Sequence, residues 1–104
     1  MVVELVRMLE HDDAWVRTNA ARLLAGNGGE AVVRALVRCL EDGDKSVRYE
    51  AACSLRQIGG KEAVPALIAR LRDEDYRVQS AAIDALTDLA DDTSVPLLVA
   101  VLAD

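Results

Sequence analysis

The sequence predicts an all-α solenoid, an α-α superhelix of about three and a half helix-pair repeats holding seven helices. Two observations carry this. The chain repeats itself every 31 residues: Leu5, Leu36, Leu67 and Leu98 fall at that spacing, as do Leu9, Leu40, Leu71 and Leu102. Asp13, Asp44 and Asp75 recur in step, each followed three residues later by a valine, Val16, Val47 or Val78. Within each unit, apolar residues also recur at i, i+3, i+4 and i+7, which is one face of a helix. Such a period marks stacked units, none of which can bury its apolar face alone. The units run approximately over 1–31, 32–62 and 63–93, with a terminal helix over 94–104, in a single domain.

The first helix of each unit carries Val2, Leu5, Val6 and Leu9, then Val33, Leu36, Val37 and Leu40, then Val64, Leu67, Ile68 and Leu71. Pro65 and Pro96 fall in first turns, where a missing amide hydrogen costs little. Short acidic turns follow: His11-Asp12-Asp13, Asp42-Gly43-Asp44 and Asp73-Glu74-Asp75. The last aspartate of each is placed to cap the second helix and complement its dipole. That second helix carries Val47, Ala51, Leu55 and Ile58 in the middle unit. The Ala-Ala pairs at 20–21 and 51–52 let helices approach closely. Gly28-Gly29 and Gly59-Gly60 are expected to end the second helices by taking the left-handed conformation. Ala90-Asp91 stands at that place in the third unit, so a differently built turn is expected there. Asn27, the one polar residue in a core column with Ile58 and Leu89, and Gly26 beside it predict that the first unit's second helix ends early and that the N-terminal repeat is the loosest. In the terminal helix, Leu97 and Val101 either close the stack or leave an apolar patch for self-association or further repeats.

The run Ala63-Val64-Pro65-Ala66-Leu67-Ile68-Ala69-Arg70-Leu71, with Asp73-Glu74-Asp75, Val78 and Ala81-Ala82 after it, resembles a HEAT-type repeat. Its short 31-residue form is similar to that of phycobilisome lyases, and the resemblance covers essentially the whole chain. It implies a polar ladder between repeats, made by a turn aspartate and an arginine early in the second helix. Asp13, Asp44, Asp75, Arg17 and Arg48 match that pattern, and Gln79 departs from it. It also implies that the second helices line a concave surface.

Composition narrows the function. A formal charge of −6 and a pI near 4.7 argue against phosphate-neutralising nucleic-acid binding and against docking on anionic membranes. No apolar run spans a bilayer, and the first residues lack the basic start of a signal peptide, so a cytoplasmic location is expected. Cys39 and Cys53 lie on different helices and read as reduced thiols rather than a disulfide. His11 is the only histidine, so neither an HExxH-type metal site nor a base for a Ser or Cys nucleophile can be assembled. Gly59-Gly60-Lys61 is followed by Glu62 where a phosphate loop needs Ser or Thr. No cofactor and no enzymatic activity are expected.

A binding surface remains. Advancing about 100° per residue from Val16, the positions off the core stripe are Trp15, Thr18, Asn19 and Arg22 in the first unit. Tyr49, Glu50 and Arg56 follow in the second, and Tyr76, Arg77, Ser80 and Asp84 in the third. All three aromatic residues of the chain therefore lie outside the predicted core. Aromatic and arginine side chains are what interfaces use as anchors. The expected function is a non-catalytic scaffold that binds a protein or peptide along the second helices. The alternatives are a subunit assisting bilin attachment to a phycobiliprotein, and rings that merely shield neighbouring helices.

Overall fold

The computed structural model describes residues 2–89. Among these, six α-helices follow one another: α1 Val2–Met8, α2 Ala14–Leu23, α3 Glu30–Cys39, α4 Lys45–Ile58, α5 Val64–Ala69 and α6 Tyr76–Leu89. No strand interrupts them among the described residues, as the sequence predicts. The expected seventh helix, with Leu97 and Val101, lies outside the described residues.

Capping explains where the longer helices begin. Asp13 and Asp44 have extended backbones, and their side chains accept from Trp15 N–H at 2.8 Å and Ser46 N–H at 2.8 Å. Asp75 accepts from Arg77 N–H at 2.9 Å and Val78 N–H at 3.2 Å in the same manner. Each cap satisfies helix N–H groups that have no intrahelical partner. Gly59 closes α4 at φ 82°, where a side chain would be strained. The first unit ends otherwise. There α2 gives way at Leu24–Gly26 to a 3-10 turn, and Asn27 turns extended. Gly28-Gly29 therefore does not end α2 by a left-handed cap; Gly29 instead precedes α3. The polar Asn27 cannot enter the apolar column that Leu89 fills, and the helix stops short.

The helices lie in two layers, α1, α3 and α5 on one side and α2, α4 and α6 on the other. The central helix α4 packs against α2, α3 and α6. Leu24, Leu36, Leu40, Leu55 and Leu67 are fully buried between the layers. Each such leucine contributes on the order of 1.5–3 kcal/mol of apolar burial. Ala20, Ala21, Ala51, Ala52 and Ala82 are equally inaccessible, and their small size lets the second-layer helices touch. On that seam Ser54 donates to the Ala21 carbonyl at 2.6 Å.

Polar rungs tie the repeats together, with one correction to the expected pairing. The arginines bind the first aspartate of the next turn, because the last aspartate is occupied as a helix cap. Arg17 forks onto Asp42 at 2.9 and 3.1 Å, and Arg48 onto Asp73 at 2.8 and 3.1 Å. Each arginine also donates to its own turn, Arg17 to the His11 carbonyl and Arg48 to the Asp42 carbonyl, both at 2.7 Å. Gln79 keeps this inward bond, to the Asp73 carbonyl, but has no guanidinium to reach onward. At the other end of the ladder His11 replaces the aspartate. Its Nδ1 accepts the Asp13 N–H at 3.0 Å, as the Asp42 and Asp73 carboxylates accept from Asp44 and Asp75.

The second rung is the buried one, with side-chain exposures of 6% for Arg48 and 1% for Asp73. Burial pushes the Asp73 carboxyl up, but the Arg48 hydrogen bond, the Asp75 N–H and the Arg48 and Arg70 charges outweigh it and hold it below its ordinary value. A carboxyl lowered on folding stabilises the fold above its unfolded pKa and loses that contribution as pH falls through the folded one. Urea unfolding followed from about pH 6 to pH 2 should therefore show stability falling steeply only at and below the ordinary carboxylate range. Asp73→Asn should be less stable at neutral pH and show a shallower acid limb. An acid limb of unchanged slope in Asp73→Asn would contradict this account.

Candidate binding groove

Six of the residues picked out from the sequence come together between α4 and α6. Tyr49, Arg56, Tyr76, Arg77, Ser80 and Asp84 line an open groove of about 590 Å³, joined by Cys53, Gln57, Ala81 and Asp88. The 31-residue repeat sets two parallel helices side by side, so positions one repeat apart face each other across the seam. Tyr76 begins α6 with 77% of its surface exposed. Tyr49 is different. It is half-buried and packs against the core, and the Arg77 guanidinium lies over its ring at 5.1 Å from the centroid. The expectation that all three rings stand clear of the core thus holds for Trp15 and Tyr76, and only in part for Tyr49. A cation over a ring face is attracted to the ring's negative quadrupole, which orients Arg77 across the groove.

The remaining predicted residues sit elsewhere. Trp15 is 73% exposed at the start of α2 and does not line the groove. Thr18 bonds back to the Ala14 carbonyl at 2.8 Å, while Asn19 links the Trp15 carbonyl to Arg22 at 2.8 and 2.6 Å. Asn19 and Arg22 thus form a local network on α2, with Thr18 bonded separately to its own helix. Glu50 is half-buried on α4, outside the groove lining.

Sequence reading missed the charge pairing inside the groove. Asp84 and Asp88 have no lysine or arginine close to them in the chain. In space Arg56 reaches across from α4, 2.6 Å from Asp88 and 3.9 Å from Asp84. The available signal was the 32-residue separation of Arg56 and Asp88, one residue more than the repeat. Arg56 thus ties α4 to α6 through two carboxylates of the third unit.

The two thiols are unpaired. Burial first, and Asp42 second, push Cys39 up to about 11. Burial also raises Cys53, which lies beside Tyr49 in the groove; the hydrogen bond with Cys53 raises the Tyr49 phenol in turn. Neither thiol is primed as a nucleophile, since only the thiolate attacks. Among the described residues no group of three or more His, Cys, Asp and Glu is disposed to hold a metal, and no helix is long and apolar enough to cross a membrane.

The HEAT repeats family model matches residues 2–74 and again 39–104, together spanning nearly the whole chain. This chain belongs to the HEAT repeat family. Its fold is similar to a chain in the structure of the complex of CpcE and CpcF of phycocyanin lyase from Nostoc sp. PCC7120, at 32% identity and a TM-score of 0.86. That match covers 98% of this chain and 42% of the other. An engineered protein is also similar, at 30% identity and a TM-score of 0.77, over 96% of this chain and 50% of the other. This HEAT-repeat chain thus spans half or less of each of these two chains. A search of curated proteins found no match.

Two measurements check the local geometry. Iodoacetamide should label Cys53 at least several-fold faster than Cys39 in the folded chain, both more slowly than in urea; faster labelling of Cys39 would contradict its burial. Trp15, the only tryptophan, should emit as in water and be quenched by iodide nearly as well as a free indole. A strongly blue-shifted, unquenchable emission would place it inside the molecule.

Proposed function

We propose that this HEAT-repeat chain is a non-catalytic interaction module that binds a protein or peptide segment in the groove between α4 and α6. The observation that carries the reading is the company kept by an exposed Tyr76: a groove of about 590 Å³ floored by Tyr49 and crossed by Arg77. Tyr and Arg are the residues that dominate interface energetics when a partner desolvates them. The helices beneath are held by the Arg48–Asp73 rung and by the wholly buried Ala51, Ala52 and Ala82, so the groove is preorganised and binding need not order it. The net charge of −6 disfavours nucleic acid, and burial raises both thiols away from the thiolate form.

A second reading rests on the likeness to the phycocyanin lyase complex. Under it, the chain is a subunit or fragment that assists attachment of a bilin to a phycobiliprotein, and Trp15, Tyr49 and Tyr76 would face that protein. Titrating a free bilin with the chain separates the two. A shifted, intensified absorbance would favour the lyase reading, and an unchanged spectrum the scaffold.

The scaffold reading is tested by selecting binders from a displayed random-peptide library on the intact chain. Tyr49→Ala with Tyr76→Ala should weaken the selected peptides by roughly 30-fold or more, the loss of about 2 kcal/mol typical of an aromatic anchor. Arg34→Ala, on the other layer, should leave them unaffected. Peptides that bind the double variant as well as the wild type would remove the groove from consideration.

A further inference from the structure

The groove is electrically polarised along its length. At one end Arg77 is held over Tyr49, and no carboxylate pairs with it among the described residues. Both α4 and α6 start at this end, so their partial positive charges add to it. At the other end Asp84 and Asp88 share the single cation Arg56, which stands 3.9 Å from Asp84 and 2.6 Å from Asp88. Asp84 is therefore the under-neutralised carboxylate. Arg77 and Asp84 are seven residues apart on one helix, about 10 Å along its axis.

Spacing selects the shape of the occupant. A helical segment is about 10–12 Å across and meets a groove floor only through its side chains, whereas an extended segment can lay its backbone there. A β-strand sends residues i and i+3 to opposite faces. A polyproline-II segment brings i and i+3 back to the same side after about 9 Å, close to the Arg77–Asp84 span. Its backbone carries no internal hydrogen bonds, and aromatic-lined grooves are its usual docking surface.

We infer that the groove takes an extended, polyproline-II-like peptide segment bearing one carboxylate and one basic side chain three residues apart, the carboxylate on Arg77 and the base on Asp84. The inference rests on the groove being the binding site, as proposed above, and adds the charge pattern and conformation of what it binds. Arg77 offers a planar fork that a carboxylate meets with two hydrogen bonds, already oriented by the Tyr49 ring. The base meets Asp84, which has only a share of Arg56 because Asp88 holds it more closely.

The test uses the full chain and four fluorescein-labelled probes with the core X-Pro-Leu-Z, where X and Z are Glu and Arg, Arg and Glu, Glu and Glu, or Arg and Arg. Fluorescence anisotropy should show at least one mixed-charge probe binding the wild type five- to tenfold more tightly than either like-charge probe. Arg77→Asp should move the preference to the Arg-Arg probe, and Asp84→Arg to the Glu-Glu probe. Both residues are exposed, so circular dichroism should show both variants folded. If the probes bind, lose affinity in Tyr49→Ala with Tyr76→Ala, and ignore both charge reversals, the polarity is overturned while the groove stands. If no probe binds the wild type although library-selected peptides do, the assigned pattern is wrong. If neither class binds, the groove reading falls with it.

Discussion

The forked ion pair between Arg48 and Asp73 is the constraint on which the rest of the structure depends. It joins the second repeat to the third, buried at the edge of the two helical layers, and each partner has further bonds to satisfy it. Taking two charges out of water is costly, and attraction repays the cost only when the geometry is good and the remaining donors are met. Here Arg48 spends one nitrogen on its own turn and two on its neighbour. The pair thereby sets the register of α4 against α6, and that register decides which residues face each other across the groove. The first rung, Arg17 with Asp42, does the same between α2 and α4 but is more open, at 19% and 14% side-chain exposure.

Division of labour between the two aspartates of each turn follows from donor geometry. The last one must cap its helix, because several N–H groups there have no other partner. The first one is then free to accept the guanidinium of the preceding repeat while its own oxygen stabilises the turn. One short acidic motif therefore serves both to start a helix and to join two repeats. The ladder stops at His11, where an imidazole replaces the receiving carboxylate, and at Gln79, where an amide replaces the fork. Between those limits the second-layer helices form a rigid platform, and the groove sits on it.

Much of this is legible in the sequence because periodicity is a one-dimensional record of stacking. Leu36, Leu55 and Leu67 mark the core by spacing alone, and Asp13, Asp44 and Asp75 mark where second helices begin. Asn27 shows in advance that α2 stops early, since an amide has no place in an apolar column. What spacing could not show is choice among equivalent partners. Asp42 and Asp44 are both in the turn, and only cap geometry decides which one meets Arg17. The same holds in the groove: Arg56 and Asp88 belong to different repeats, and Tyr49 and Tyr76 occupy different positions in their units. Helix phase placed the rings off the core stripe, yet the depth to which Tyr49 sinks depends on Arg77 above it and Cys53 beside it. Trp15 and its network on α2 share the helical phase of the groove residues without sharing their location.

A double-mutant cycle on Arg48 and Asp73, read by urea unfolding at neutral pH, tests the central claim most directly. Replacing one partner strands a buried charge, at a cost of about 3–5 kcal/mol. Replacing both, Arg48→Met with Asp73→Leu, removes the stranded charge. If the pair acts as one buried unit, the double variant is no less stable than either single one, and the coupling is large. Two small losses that simply add would contradict the claim, because the repeats would then be held in register by apolar packing alone.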